Sequence, residues 1–164
     1  MFEALKGITV SLRFRLVAAA SFVLVLMLWV LVANSVRLID DALVAVNEHG
    51  AELGVVVAFG QIIKPHVLAV LPMVNLHFSL LPRWRGAAPV ERALLAGDDE
   101  TGVCVMALEE GLDTGGVFAR RNVPIGPETT ATELRGELVD VGTALLVETL
   151  ASPLGEPEPQ VGEV

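Results

Sequence analysis

The sequence predicts an α/β fold with about four strands and flanking helices, preceded by one transmembrane helix. From residue 53 to residue 150, strand-like apolar runs alternate with helical patterns, which favours a layered, partly parallel sheet. Before them, residues 16–33 form an eighteen-residue run without a charge, long enough to cross the hydrocarbon core of a bilayer. The 164 residues therefore suit a membrane anchor over 1–34 and one modest domain.

The charge distribution orients the predicted anchor. Residues 1–39 carry four basic groups and one acidic group, whereas residues 40–164 carry seven basic and nineteen acidic groups. Most of the N-terminal basic groups precede the apolar run, so the positive-inside rule predicts a single-pass, membrane-anchored protein with a cytoplasmic N-terminus. A cleaved signal peptide and a buried core helix are the alternatives. The acidic remainder argues against general nucleic-acid binding, which needs clustered Lys and Arg.

Each further element follows from its apolar pattern and its turn residues. Residues 35–51 predict a short junction helix with two acidic residues near its start. The continuous β-branched run 53–60, closed by glycine, predicts a strand buried on both faces. Further strands are predicted over 73–79, 102–108 and 117–125, and further helices over 64–71, 88–96 and from Thr129 or Thr130 to about Leu150.

The last of these helices has one apolar face and leads into a polar tail. The face is formed by Leu134, Leu138, Val141, Leu145, Leu146 and Leu150. Residues 152–164 contain three prolines and three glutamates, which is typical of a linker. The domain itself is therefore predicted over 52–151.

Polar groups with catalytic chemistry lie at the ends of two predicted strands. Asn75 and His77 share one face of the second strand with Ser79, and Asp113 follows the third strand in a glycine-flanked loop. Because ligands of α/β sheets bind where loops leave the strand ends, this loop can bring the carboxylate of Asp113 to His77 if the two strand ends are neighbours. An imidazole carries a proton, a carboxylate orients it, and an amide donor stabilises an oxyanion, which together suit acyl-type transfer.

Other interpretations of these polar residues stay open. A buried core histidine and a turn-forming aspartate are the non-catalytic alternative. Ser79 is a nucleophile only if a base lies against its hydroxyl.

The two arginines of the loop Arg83-Trp84-Arg85 could hold a carboxylate, a phosphate or a stacked ring, and a solvated loop is equally compatible with them. The single cysteine, Cys104, lies in an apolar run and is predicted to be a core residue. The three histidines show no metal-ligand spacing, so no metal site is predicted.

The stretch 75–89 closely resembles the folate-dependent formyltransferases, and within them the tRNA-acting branch. Further matches, in the order and spacing of the family, are the stretches 57–60, 96–98, 100–103 and 111–115. The resemblance implies a Rossmann-like formyltransferase sheet. The family's earlier strand–helix units do not precede residue 53 and its C-terminal domain does not follow the tail, so a truncated sheet and a partial catalytic domain, fused to an unrelated anchor, are expected.

By this resemblance, the expected activity is transfer of a formyl group from 10-formyltetrahydrofolate, the co-substrate, to the α-amine of initiator methionyl-tRNA. Asn75 would stabilise the formyl oxygen, His77 would shuttle the proton, and Asp113 would orient and charge His77. No metal and no stable protein partner are expected. The residues implied to hold folate and substrate are Phe59, Gly60, Ser79, Leu80, Leu81, Pro82, Arg83, Arg85, Gly111 and Leu112.

Two alternatives to this activity remain at the level of sequence. An amino-sugar N-formyltransferase would share the His-x-Ser-Leu-Leu-Pro core that begins at His77. A non-catalytic membrane-anchored fragment would carry the same residues as a relic. The family is cytoplasmic, whereas the predicted anchor places the domain on the other side of a membrane with residues 16–33 as the membrane contact.

Overall fold

Four strands form one mixed sheet in which spatial order follows chain order. The computed structural model describes residue 41, residues 50–59 and residues 62–162. The strands are β1 (Gly54–Val57), β2 (Met73–His77), β3 (Glu100–Ala107) and β4 (Val117–Pro124). β1 and β2 are parallel, whereas the β2–β3 and β3–β4 pairs are antiparallel. The predicted α/β class, with about four strands and a partly parallel sheet, is confirmed.

Within residues 62–162, three helices connect and cover the strands. They are α1 (Pro65–Leu68), α2 (Pro89–Ala96) and α3 (Ala131–Leu150). α1 and α2 each begin with proline, whose fixed φ and missing N–H suit the first turn of a helix. α2 ends at Gly97, which has a φ of 71° and therefore takes the left-handed conformation that terminates many helices.

The prediction of a membrane-anchored location is contradicted by the helices that the structure describes. Among the described helices, none is both long and apolar enough to cross a bilayer. α3 has the length, with 20 residues, but its sequence contains five charged side chains, which a bilayer core would not accommodate. The predicted anchor over 1–34, its membrane span 16–33 and nearly all of the junction helix over 35–51 lie outside the described residues.

The core lies between the sheet and α3. Leu134, Leu138 and Leu145 of α3 are buried against Leu76 and Val103 of the sheet, as the apolar face predicted. Gly142 lies within the same face, and a Cβ there would be only 3.0 Å from Leu76 Cδ2. The absence of a side chain at this position thus lets α3 approach the sheet closely.

The exposed face of β1 differs from the sequence prediction. The apolar run predicted a strand buried on both faces, but Val55 and Val57 are 45% and 46% exposed. In the described part of the chain β1 pairs with β2 alone, so the other edge of β1 is unpaired there, and the face that carries Val55 and Val57 is only partly covered. A continuous apolar run specifies that a strand can be buried, and does not specify which element covers it.

Residues 152–162, whose composition predicts a linker, are docked on the domain, and we call them the strap. Glu158 forms a two-hydrogen-bond antiparallel bridge with Val117, through N···O distances of 2.8 and 2.9 Å. Leu154 is partly buried against the core cluster, and Pro157 lies against Gly116. Main-chain pairing and a few apolar contacts therefore order a segment whose composition is polar and proline-rich.

A capping box begins α3, and its contribution to stability can be measured. The Thr130 hydroxyl accepts a hydrogen bond from the Glu133 N–H at 3.3 Å, and Glu133 Oε2 accepts from the Thr130 N–H at 2.9 Å. The Thr130 hydroxyl and N–H also lower the pKa of the Glu133 carboxyl. We expect Thr130→Ala to reduce the free energy of unfolding in urea by about 1 kcal/mol, because it leaves helix N–H groups without an acceptor.

Thr143→Ala is the matched control for this measurement. Thr143 is an exposed residue in the middle of α3, and its hydroxyl donates to the Val139 carbonyl at 2.7 Å. Alanine has the higher helix propensity there, so Thr143→Ala should leave the free energy of unfolding unchanged or slightly higher. Equal losses in the two variants would contradict a specific role for the cap.

Candidate active site

A cavity of about 470 Å³ opens beside the carboxyl ends of β1 and β2. Its walls come from the end of β1, from residues 75–78 of the β2 segment, from residues 86–89 and from residues 108–113. Most of these side chains are apolar, and the side chains of Asn75, His77 and Asp113 are polar groups in the same wall. This volume and composition are typical of small-molecule sites.

The loop at residues 108–116, which we call the Asp113 loop, reaches the site by an indirect route. β3 is antiparallel to β2, so Ala107 at its carboxyl end pairs with Val74, near the start of β2. The loop must run back along β2 before Asp113 meets His77. The condition that the carboxyl ends of these two strands are neighbours is therefore not met, and the length of the loop brings Asp113 to His77 instead.

The carboxylate of Asp113 is the point at which the polar groups meet. Its Oδ2 lies 3.5 Å from His77 Nδ1 and accepts a 2.7 Å hydrogen bond from the Gly86 N–H. Its Oδ1 accepts from Asn75 Nδ2 at 3.4 Å. The side chain is only 11% exposed, so these donors replace most of its water. Asp113 has a φ of 50°, a conformation uncommon for residues other than glycine.

The second ring nitrogen of His77 is held by the main chain. Nε2 lies 3.1 Å from the carbonyl oxygen of Trp84, and a carbonyl can only accept a hydrogen bond. Nε2 therefore carries the proton in the neutral ring, and Nδ1 is the basic nitrogen. A proton taken up at Nδ1 would lie directly beside the carboxylate of Asp113. The site thus combines a base, a counter-charge for its protonated form and an amide donor.

Residues 83–86, which we call the Arg–Trp loop, place the Trp84 carbonyl. Trp84 has a φ of 61°, and its indole N–H donates to Asp98 Oδ2 at 2.7 Å. Arg83 forms two hydrogen bonds with the same carboxylate at 2.9 and 2.6 Å. The Arg92 guanidinium stacks 4.7 Å from the Trp84 ring centroid and donates to the Arg85 carbonyl at 2.8 Å. Side chains from α2 and from the turn after it therefore fix this loop.

Nine of the remaining predicted site residues divide into two groups. Phe59, Gly111 and Leu112 line the cavity together with the three polar residues. Ser79, Leu80, Leu81, Pro82, Arg83 and Arg85 do not line it. Gly60 lies outside the described residues.

The residues of the second group are engaged in structural contacts. The Ser79 hydroxyl is fully buried and donates to the Arg83 carbonyl at 2.6 Å, so no base faces it. Leu81 packs with Cys104 in a small buried cluster, and the Leu81–Pro82 peptide bond is cis. Arg85 donates to Gln160 of the strap through both Nε and Nη2.

Sequence reasoning missed four contributors: the Trp84 carbonyl, the Gly86 N–H, Asp98 and Gln160. Two of these are backbone groups, which have no sequence signature of their own. Asp98 belonged to one of the family matches but was assigned no role, and Gln160 fell in the segment predicted to be a linker.

Neither thiol nor metal chemistry is indicated by the described residues. Burial raises the pKa of the Cys104 thiol, which lies on β3 and packs in the small buried cluster with Leu81. No group of three His, Cys, Asp or Glu side chains in the described stretches is arranged to hold a metal ion.

Comparisons with known proteins identify the family of this chain. Residues 14–150 match the sequence model of a protein family described as Formyl transferase, so the match begins inside the segment predicted to be an anchor. The methionyl-tRNA formyltransferase of Symbiobacterium thermophilum is 53% identical over 112 residues, which are 67% of this chain and 34% of that protein. That of Cutibacterium acnes is 52% identical over 120 residues, which are 71% of this chain and 38% of that protein.

Solved structures show the same fold. The phosphoribosylglycinamide formyltransferase of Streptococcus pneumoniae superposes with a TM-score of 0.63 and 28% identity, over 68% of this chain and 66% of that chain. The Rossmann-like formyltransferase sheet implied by the motifs is therefore present. The chain spans about a third of the length of the curated relatives it matches.

The Asp98 carboxylate predicts a pH-dependent contribution to stability. The hydrogen bonds from Arg83, and after them the one from Trp84, hold its pKa below the ordinary value of an aspartate despite partial burial. A lowered folded-state pKa stabilises the fold above the unfolded value of about 3.9, and this stabilisation is lost as pH falls through the folded value. We therefore expect Asp98→Asn to lower the free energy of unfolding by more at pH 7 than at about pH 3.

Urea unfolding at several pH values would test this expectation. Asp99→Asn is the control, because its side chain is exposed and forms no observed hydrogen bond or ion pair with another side chain in the described part of the chain. Asp99→Asn should change the free energy of unfolding only slightly at every pH. A loss in Asp98→Asn that did not vary with pH would contradict the assigned role of the carboxylate.

Proposed function

Since this chain belongs to the formyl transferase family, we propose that its site transfers a formyl group from 10-formyltetrahydrofolate to the α-amine of methionyl-tRNA. The observation that carries the proposal is the convergence of Asn75, His77 and Asp113 in one cavity wall. The identity of 53% over 112 residues to a protein named methionyl-tRNA formyltransferase supports this choice of acceptor.

The cavity suits the formyl donor. Its volume of about 470 Å³ lies in the range that holds small-molecule ligands. Phe59, Ile62 and Leu112 present apolar side chains that are 39%, 71% and 60% exposed along its walls. Exposed apolar groups beside buried polar ones fit a ligand with a flat ring system and a reactive polar end. We assign Phe59, Gly111 and Leu112 to folate binding on this basis. Gly60, which lies outside the described residues, is assigned with them only because it follows Phe59 in the family motif.

The three polar residues can then divide the chemistry of formyl transfer. The co-substrate supplies an activated formyl group, and the acceptor amine forms a bond to its carbon while the bond to N10 of the folate breaks. Asn75 Nδ2 donates to the negative charge that develops on the formyl oxygen. His77 takes the proton of the attacking amine at Nδ1 and delivers it to the departing N10. Asp113 orients the ring and stabilises its protonated form.

The other predicted binding residues have a supporting part in this proposal. Ser79, Leu80, Leu81 and Pro82 join β2 to the Arg–Trp loop, and Ser79 is hydrogen-bonded to that loop. Arg83 fixes Asp98 and Arg85 contacts the strap. These residues would act on substrate through the shape of the wall.

Activity of the whole chain with defined substrates tests the proposal. We expect formylation of methionyl-tRNA with 10-formyltetrahydrofolate, and a loss of about 10²- to 10⁴-fold in kcat for His77→Ala, because the proton transfer is then unassisted. Asn75→Ala and Asp113→Asn should each lower kcat by about 10²-fold or more, because an oxyanion donor and the ring's orienting carboxylate are lost. Product is measured as formylmethionine released from the tRNA.

His66→Ala is the matched control, since His66 lies on α1, is exposed and does not line the cavity. It should retain wild-type kcat. Absence of folate-analogue binding by the wild-type chain would contradict the enzymatic assignment. Formylation of a nucleotide-linked amino sugar, with none of methionyl-tRNA, would retain the chemistry but overturn the acceptor.

A further inference from the structure

We propose that Gln160 of the strap is a positioning residue for the carboxylate of Asp113. The inference rests on the proposed function, because it assigns Gln160 to the group that orients His77. Its basis is the hydrogen bonding of the Gln160 amide, which links the two loops that hold Asp113.

Every hydrogen-bonding position of the Gln160 amide is used. Oε1 accepts from Arg85 Nε at 2.9 Å and from Arg85 Nη2 at 2.7 Å. Nε2 donates to the Asp113 carbonyl at 2.9 Å and to the Gly115 carbonyl at 2.7 Å. An amide has two acceptor lone pairs and two donor hydrogens, so none is left over. A side chain that met these groups by chance would rarely satisfy all four.

These contacts fix both ends of one hydrogen bond in the site. The Gly86 N–H donates to Asp113 Oδ2, and Gly86 directly follows the Arg85 that Gln160 holds. Asp113 is held through its own carbonyl. Gln160 thus sets the donor loop and the acceptor loop relative to one another, and so sets the carboxylate relative to His77 Nδ1 at 3.5 Å.

The conformation of the Asp113 loop explains why such a support is needed. Asp113 has a φ of 50°, which costs conformational energy for a residue with a side chain. A residue in this conformation stays there only when its surroundings hold it. Docking of the strap through the Glu158–Val117 bridge brings Gln160 to the loop, two residues beyond the bridge.

Two substitutions at Gln160 test the roles of its donor and acceptor groups. Gln160→Glu keeps oxygen acceptors for Arg85 but removes the two donors, and places a carboxylate against two carbonyl oxygens. Gln160→Ala removes both halves. If the donors position Asp113, both variants should lose about 10- to 10²-fold in kcat with little change in the KM for either substrate, because misplacement affects the reacting geometry more than binding. Val161→Ala, at the 87% exposed neighbour in the strap, should retain wild-type kcat.

A second measurement reports on the carboxylate without any assay of activity. The Gly86 amide proton points at Asp113 Oδ2, so its NMR resonance should move upfield and its hydrogen exchange should accelerate in Gln160→Glu. The Gly126 amide, which donates to the Thr129 hydroxyl, should not change. An unmoved Gly86 resonance, or a wild-type kcat in Gln160→Glu, would overturn the proposal. Absent formyl transfer by the wild-type chain would instead count against the proposed function, while the Gly86 resonance would still decide the position of the carboxylate.

Discussion

One constraint organises this protein: a largely buried carboxylate must be surrounded by donors. Removing a carboxylate from water costs several kcal/mol unless hydrogen bonds replace the lost solvation. Asp113 meets this requirement with an amide side chain and a backbone N–H from two different segments, and the His77 ring becomes a third donor when Nδ1 takes up a proton. β2, the Arg–Trp loop and the Asp113 loop must therefore converge, and the strap closes the arrangement from outside.

The sheet topology determines how that convergence is achieved. Parallel pairing of β1 and β2 opens a cleft at their carboxyl ends, as in other open α/β sheets. Antiparallel pairing of β2 and β3 sends the following loop away from the cleft. The loop returns through a left-handed conformation at Asp113, and it needs external support because it has no regular secondary structure. The geometry of the candidate site and the support of its loop are thus consequences of one change in strand direction.

Local sequence patterns were sufficient to predict the helices and strands, but they did not predict what covers or contacts them. The apolar face of α3 and its cap at Thr130 were predictable because periodicity and capping depend on neighbouring residues. The polar trio was predictable by residue type and by motif. The exposed face of β1 was not, because burial depends on what covers a strand. The roles of Gln160 and of the Trp84 carbonyl depend on contacts between distant segments, and no local pattern encodes them.

Two backbone groups hold polar side chains of the site, and side-chain substitution leaves such groups largely in place. His77 is fixed by the carbonyl of Trp84, and Asp113 is fixed by the N–H of Gly86. No side-chain exchange deletes a carbonyl, and only proline deletes an N–H. The effect of a substitution at Trp84 or Gly86 therefore reports whether the backbone conformation is retained. Alanine scanning would underestimate the contribution of these two backbone groups to the site.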